Sequence, residues 1–166
     1  RDPESKITTW PELLDWRRAM RTQGTTVAVT NGCFDLLHRG HVEYLNRACE
    51  AGDALVVLVN SDRSIREVKG EGRPVVGEED RVYLLASLEA VDRVTMFDTA
   101  TCTELFREIR PDVYVKGGDY TEETLVQEEY RLLKSMGCRF VFVPHVAGRS
   151  TTTLVEHIRT AEMTGD

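Results

Sequence analysis

Two imidazoles stand three residues apart in His38-Arg39-Gly40-His41, at the start of a helical pattern and just after a short β-branched run at residues 26–30. On a helix that spacing puts both rings on one face. Gly40 removes a side chain between them, so a ligand can approach the backbone. A helix N-terminus adds free N–H groups and the positive end of a dipole, which suits phosphate. The chemistry this predicts is phosphate binding with stabilisation of transition-state charge. A metal site of His38, His41 and Asp35 is the rival chemistry, although no further ligand cluster stands nearby in the sequence. The plainer alternative is two histidines that only cap and pack.

The loop ahead of the histidines reads Asn31-Gly32-Cys33-Phe34-Asp35. It lacks the G-x-G-x-x-G dinucleotide fingerprint, and the chain has no G-x-x-x-x-G-K-[ST] phosphate loop. Three later segments carry groups suited to a nucleotide. Lys69 and Arg73 lie in a Gly-rich, Pro-closed stretch, read as a cationic loop able to close over phosphates or as a solvated turn. Lys116-Gly117-Gly118-Asp119 follows a strand; its glycines allow positive φ and close contact with a base or ribose, or simply a tight turn. Gly148-Arg149-Ser150-Thr151-Thr152 opens the last helix, with hydroxyls that cap it or hold a terminal phosphate. Cys33 is read as a packing residue, and His145 and His157 have no partner pattern.

The elements that must position these groups alternate between strand and helix. Thr9-Trp10-Pro11-Glu12 is a capping-box helix start, and the leading helix runs to Gly24 with Leu13, Trp16 and Met20 on one face. Residues 54–59 are apolar on both faces, the mark of a central parallel strand covered on each side. Helical patterns are expected from Gly40 to about residue 52 and over 78–90, 101–109 (with a Thr101/Glu104 capping box), 122–136 and 150–159. Strands are expected at 94–97, 112–115 and 139–143. This predicts an α/β domain, Rossmann-like, with a parallel five-stranded sheet, helices on both faces and strand order 3-2-1-4-5. One domain spans 1–166, as a leading helix at 1–24 and an α/β core at 26–160. Ligands of such sheets bind outside the carboxyl ends of the strands, where strand order reverses.

Bulk properties narrow the partners. The 166 residues carry a formal net charge of −7, with 41% hydrophobic and 30% charged residues. That is an ordinary globular composition without the clustered positive excess of a nucleic-acid surface. The four cysteines form no C-x-x-C pair and read as free thiols. No signal-like or membrane-spanning run is present. The expectation is a cytoplasmic protein with no nucleic-acid or membrane partner; homodimerisation is left open.

The ordered motifs resemble a known family. H-x-G-H after a strand ending in G-x-F-D is similar to the cytidylyltransferase-like nucleotidyltransferases. The string from Thr30 to His38 looks closest to the D-glycero-β-D-manno-heptose 1-phosphate adenylyltransferases. The likeness continues through Val59-Asn60-Ser61-Asp62, Lys69-Gly70-Glu71-Gly72-Arg73-Pro74, Arg81, Val115-Lys116-Gly117-Gly118-Asp119-Tyr120 and Gly148-Arg149-Ser150-Thr151-Thr152. It implies transfer of AMP from ATP to a sugar 1-phosphate, giving an ADP-sugar and pyrophosphate, with Mg²⁺ accompanying ATP. It also implies His38, His41 and Lys69 as catalytic groups. Asn31, Gly32, Cys33, Phe34, Asp35, Gly40, Lys116, Gly117, Gly118, Asp119, Ser150, Thr151 and Thr152 would bind the nucleotide, and Asn60, Asp62, Arg73 and Arg81 the second substrate. Metal ligands are unassigned. The alternatives are a cytidylyltransferase acting on glycerol 3-phosphate or a similar alcohol, whose final motif carries isoleucine where this chain has Arg149, and a non-catalytic nucleotide-binding module. Many heptose enzymes of this kind carry a fused sugar kinase domain, which this chain lacks, so a stand-alone enzyme and an excised half both remain open.

Overall fold

The computed structural model describes residues 2–144 and 150–164. Its centre is a five-stranded parallel sheet in the order β3-β2-β1-β4-β5, with β1 at Val27–Gly32, β2 at Ala54–Asn60, β3 at Arg93–Phe97, β4 at Val113–Gly117 and β5 at Arg139–Val143. The expected strand order and α/β class are therefore observed. The helices are α1 (Trp10–Thr22), α2 (Arg39–Cys49), α3 (Asp62–Lys69), α4 (Glu78–Ala86), α5 (Thr103–Ile109), α6 (Gln127–Ser135) and α7 (Thr151–Thr164).

Alternation along the strands divides the core into two layers. Leu55, Val57 and Val59 of β2 join Ala28, Val113 and Val115 on one face, with Leu45 and Leu85 from α2 and α4. Ala54, Val56 and Leu58 join Val27, Val29 and Tyr114 on the other, against Leu13, Phe106 and Leu133 from α1, α5 and α6. This accounts for the apolar run of β2: it pairs with β1 and β3 and has helices over both faces. β1 lies between β2 and β4, so strand order reverses between β1 and β4, and their C-terminal ends open the crevice.

The leading helix is capped as read: the Thr9 N–H donates to Glu12 Oε2 (2.8 Å) and the Glu12 N–H to Thr9 Oγ1 (3.4 Å). Buried Arg17 ties α1 to the sheet, donating to the Ile109 and Arg110 carbonyls (3.0 and 2.7 Å) and to Asp112 (3.0 Å).

Four local expectations are corrected. α3 forms where a loop was expected, so Lys69 ends a helix, with Ser61 Oγ capping its start by accepting the Ser64 N–H (3.1 Å). α4 stops at Ala86, short of residue 90. α6 begins at Gln127 rather than 122, because the chain ahead of it is in turns, whose carbonyls at Glu122, Glu123 and Leu125 accept from the Gln127 amide. The Thr101/Glu104 box does not form: Cys102 stands at the N-cap of α5 without a side-chain cap.

Candidate active site

A cleft of about 930 Å³ opens at the ends of β1 and β4. It is lined by Asn31, Gly32, Cys33, Phe34, Asp35, His38, Gly40, His41, Lys69, Arg73, Lys116, Gly117, Gly118, Asp119, Ser150, Thr151 and Thr152. Groups from four stretches of the chain (31–41, 69–73, 116–119 and 150–152) thus converge on one space. Gly148, Arg149 and His145 lie outside the described residues. Tyr120, from the motif after β4, also lines the cleft, as do Tyr44, Thr124, Val143 and Pro144; these last four were not singled out in the sequence, where Tyr44, Val143 and Pro144 resemble ordinary core residues and Thr124 an ordinary turn hydroxyl.

The histidine pair is organised by the end of α2 itself. His38 is the N-cap, in extended conformation, and its Nδ1 accepts the Gly40 N–H (3.0 Å). His41 Nδ1 accepts the His38 N–H (3.3 Å). The two rings lie against each other with centroids 3.9 Å apart, tilted by 31°. With both Nδ1 atoms accepting, each neutral ring carries its proton on Nε2 and is a donor there. His41 is held to that state: burial, then the neighbouring His38 and Lys69, push its pKa down to about 4, against a smaller pull from Asp35. Capping and ligand donation are therefore compatible roles, because they use different nitrogens.

Asp35 organises the loop. It is 2% exposed and accepts N–H bonds from Val75 and Val76 (2.9 Å each) and from Arg73 Nε (3.2 Å). Burial pushes its pKa up, but the three bonds outweigh burial and leave it below the usual carboxylate value. Its carbonyl accepts the Thr151 hydroxyl at 2.7 Å, so one residue joins the β1–α2 loop, the segment before α4 and the start of α7. Phe34 and Leu36 on either side have φ of 50° and 49°, left-handed values costly for bulky side chains. The Asp35 contacts hold that backbone in place.

The glycines of Lys116-Gly117-Gly118-Asp119 serve separate needs. A Cβ on Gly117 would lie 2.9 Å from the Tyr44 ring, whose hydroxyl is 2.5 Å from Thr30 Oγ1 and donates to the Val115 carbonyl at 3.0 Å. Gly118 adopts φ of 81°, which favours glycine. At α7, Ser150 Oγ accepts the Thr153 N–H (3.0 Å) as the helix cap, while Thr152 is exposed at the cleft. Lys69 is exposed at the end of α3.

Three residues assigned to the second substrate are not on the cleft wall. Arg81 is fully buried and donates to the carbonyls of Cys33 (2.7 Å), Asn60 (2.8 Å) and Val76 (2.9 Å) and to Asp62 (2.8 Å). Asn60 and Asp62 thus belong to a brace beneath the cleft. Arg73 does line it, with its guanidinium against Asp35. Among the described residues no group of three His, Cys, Asp or Glu could hold a metal ion, and no helix is long and apolar enough to cross a membrane.

Residues 29–158 match the family described as cytidylyltransferase-like. The chain is 48% identical over 155 residues to the bifunctional protein HldE of Syntrophotalea carbinolica, covering 93% of this chain and 31% of that protein. It is 46% identical over 162 residues to the HldE of Geotalea uraniireducens, covering 98% and 33%. The chain thus spans about a third of the length of these relatives. Among solved structures it resembles the lipopolysaccharide core biosynthesis protein from Thermoplasma volcanium GSS1, with a TM-score of 0.61 and 28% identity, covering 74% of this chain and 98% of that one. With the H-x-G-H pair at the strand-order reversal and the family match over most of its length, the chain belongs to the cytidylyltransferase-like family.

Proposed function

We propose that this domain transfers the adenylyl group of ATP to a sugar 1-phosphate of the heptose class, releasing pyrophosphate. The observation that carries the reading is the pair of Nδ1-anchored imidazoles at the N-terminus of α2, inside a cleft that also gathers Lys69, Lys116 and the start of α7. The ordered motifs and the likeness to the HldE proteins and to a lipopolysaccharide core biosynthesis protein support the choice of nucleotide and acceptor. We place the reaction in the cytoplasm.

The acceptor phosphate oxygen attacks the α-phosphorus of ATP in line. A P–O bond to the acceptor forms while the bond to pyrophosphate breaks, and charge accumulates on the leaving group. The acceptor is already an anion near neutral pH, so no general base is required. Alignment and charge stabilisation carry the rate. His38 and His41 donate from Nε2 along the path from α-phosphate to leaving pyrophosphate. Lys69 and the α7 start hold the terminal phosphates, and Gly117 to Asp119 border the nucleoside. Mg²⁺ would neutralise charge on the triphosphate. The described residues contain no cluster to hold it alone, so it would arrive on the phosphates, as this ion commonly does.

The test is pyrophosphate release with ATP or CTP across a panel of sugar 1-phosphates and alditol phosphates. ATP with a heptose 1-phosphate is expected to be the best pair. Preference for CTP and glycerol 3-phosphate would replace the reading with cytidylyl transfer, and no release with any pair would leave a binding module.

A further inference from the structure

The two strands whose ends open the cleft part company before they finish. β1 and β4 are in register at Ala28–Val113 and Val29–Tyr114, while β1 stays paired with β2 as far as Gly32 and β4 with β5 as far as Gly117. Thr30 and Val115 are thus the first residues of a fork between β1 and β4. On the face covered by α5 and α6, the Tyr114 hydroxyl crosses the fork and donates to Asn31 Oδ1 (2.7 Å), and the Asn31 amide donates to Cys102 Sγ (3.4 Å). The Cys102 N–H is in turn held by buried Glu129 at 2.6 Å. On the face covered by α2 the bridge is Tyr44. Its hydroxyl donates to the Val115 carbonyl at 3.0 Å and lies 2.5 Å from Thr30 Oγ1. A phenol has one proton and a carbonyl none to give, so the fully buried Thr30 hydroxyl is the donor to the Tyr44 oxygen.

We infer that Tyr44 is a positioning residue: its phenol, lodged in the fork between β1 and β4, sets the depth and rotation of α2 and so aims His41 at the reacting phosphate. Resting on adenylyl transfer as read above, this role deepens it by naming what aligns the histidine with the nucleoside wall. Tyr44 stands three residues after His41, on the same side of α2, and both line the cleft. Less than one helical turn separates them, so an anchor at Tyr44 is felt at the His41 ring. The Tyr44 ring also meets the opposite wall, where a Cβ on Gly117 would lie 2.9 Å from it. One side chain therefore spaces the imidazoles, which meet the α-phosphate and the leaving group, from the β4 loop, which borders the nucleoside. Productive geometry has to be held within about 0.5 Å, and two hydrogen bonds at the foot of the fork supply that constraint. Burial, outweighing the Thr30 bond, pushes the phenol's pKa further above its ordinary value, so the hydroxyl stays a donor to Val115 at neutral and moderately alkaline pH.

Tyr44→Phe keeps the ring against Gly117 and removes the hydroxyl. The kcat for pyrophosphate release should fall roughly tenfold, short of the hundredfold cost of an ångström's misplacement. The Kd for ATP, read by calorimetry, should change by less than about twofold, because the groups that touch ATP remain. In a His41→Ala background the same substitution should cost less than about twofold in kcat, since the group it aims is gone. Thr95→Val deletes another buried hydroxyl contact, the one of 2.7 Å to Thr8 outside the cleft, and should lower stability while leaving kcat as it is. Wild-type kcat in Tyr44→Phe, the same loss with and without His41, or a matching loss in Thr95→Val overturns the positioning role. If Tyr44→Phe does not fold, Thr30→Val takes its place, with kcat expected to fall about threefold, the scale of one weakened hydrogen bond, and an unchanged kcat overturning the role. Imidazole NMR reads the alignment without turnover: ATP should move the His41 Nε2 resonance less in Tyr44→Phe, or in Thr30→Val, than in the wild type. A wild type that binds ATP but releases no pyrophosphate would sink adenylyl transfer alone. The NMR comparison then still decides the role of Tyr44, and an identical His41 response in wild type and variant overturns it.

Discussion

Replacing Asp35 by asparagine probes how the phosphate loop is held. The carboxylate is 2% exposed and accepts three N–H groups, two from backbone and one from Arg73. Asparagine has the same shape but one acceptor oxygen, and its amide N–H₂ must turn toward a donor. At least one buried N–H then loses its partner, which costs about 1–3 kcal/mol. The Arg73 guanidinium, 23% exposed at its side chain, loses its counter-charge as well. Together these predict a loss of about 3 kcal/mol, since breaking a buried pair from one side costs about 3–5 kcal/mol and this one is partly open to solvent. For a domain of this size that lowers Tm by about 6–12 °C. Because Asp35 also meets Thr151 of α7 through its carbonyl, ATP affinity should fall with stability. Urea unfolding with an unchanged m-value, alongside calorimetric titration with ATP, measures both. A double-mutant cycle with Arg73→Met should give a coupling above about 1 kcal/mol. If Asp35→Asn unfolds within about 0.5 kcal/mol of the wild type, the scatter of ordinary surface changes, the clamp does not exist as described.

Three further outcomes follow from the geometry. Gly117→Ala places a methyl 2.9 Å from the Tyr44 ring and should cost about 1–3 kcal/mol through overpacking, whereas Gly137→Ala, with nothing near its Cβ but φ of 76°, should cost about 1 kcal/mol through strain alone; chemical denaturation of the two separates clash from strain. Arg81→Met strips the donors from three carbonyls and Asp62 and should destabilise by about 3–5 kcal/mol, with the surviving folded fraction keeping its KM for the acceptor; a selective rise in that KM without instability would return Arg81 to the substrate. For His41, whose folded pKa lies near 4 against an ordinary 6.5, the unfolded chain binds the extra proton between those values. Stability is therefore undiminished above about pH 6.5 and falls as pH drops toward 4, by about 3 kcal/mol across the window. Urea curves for His41→Gln should lack that part of the slope, and parallel curves for the two proteins would count against a buried neutral imidazole.

Much of this site is legible in the sequence because its chemistry is local. The β-branched and apolar runs of β1 and β2, the H-x-G-H spacing and the glycine pair after β4 each depend on near neighbours. What escapes is whatever depends on contacts between distant segments. Arg81 reads as a substrate cation because its partners are backbone carbonyls at Cys33, Asn60 and Val76, which no side-chain pattern announces. Asp35 reads as a nucleotide-binding residue, because the partners that its carboxylate holds, Val75 and Val76, stand about forty residues downstream. α3 escapes because its eight residues bury Ile65 while leaving Val68 69% exposed among charged neighbours, so the apolar stripe is too thin to mark a helix. Glu129 escapes for the opposite reason: an acidic residue in a charged helix looks solvated until the core is seen around it.

The most direct test of adenylyl transfer is pyrophosphate release from ATP and a heptose 1-phosphate by the wild type and by His41→Ala, with Tm recorded for both. The account predicts robust release by the wild type and a fall of at least about a hundredfold in the variant, the range for a lost transition-state donor, with Tm lower by only a few degrees. Turnover by His41→Ala close to that of the wild type would contradict it.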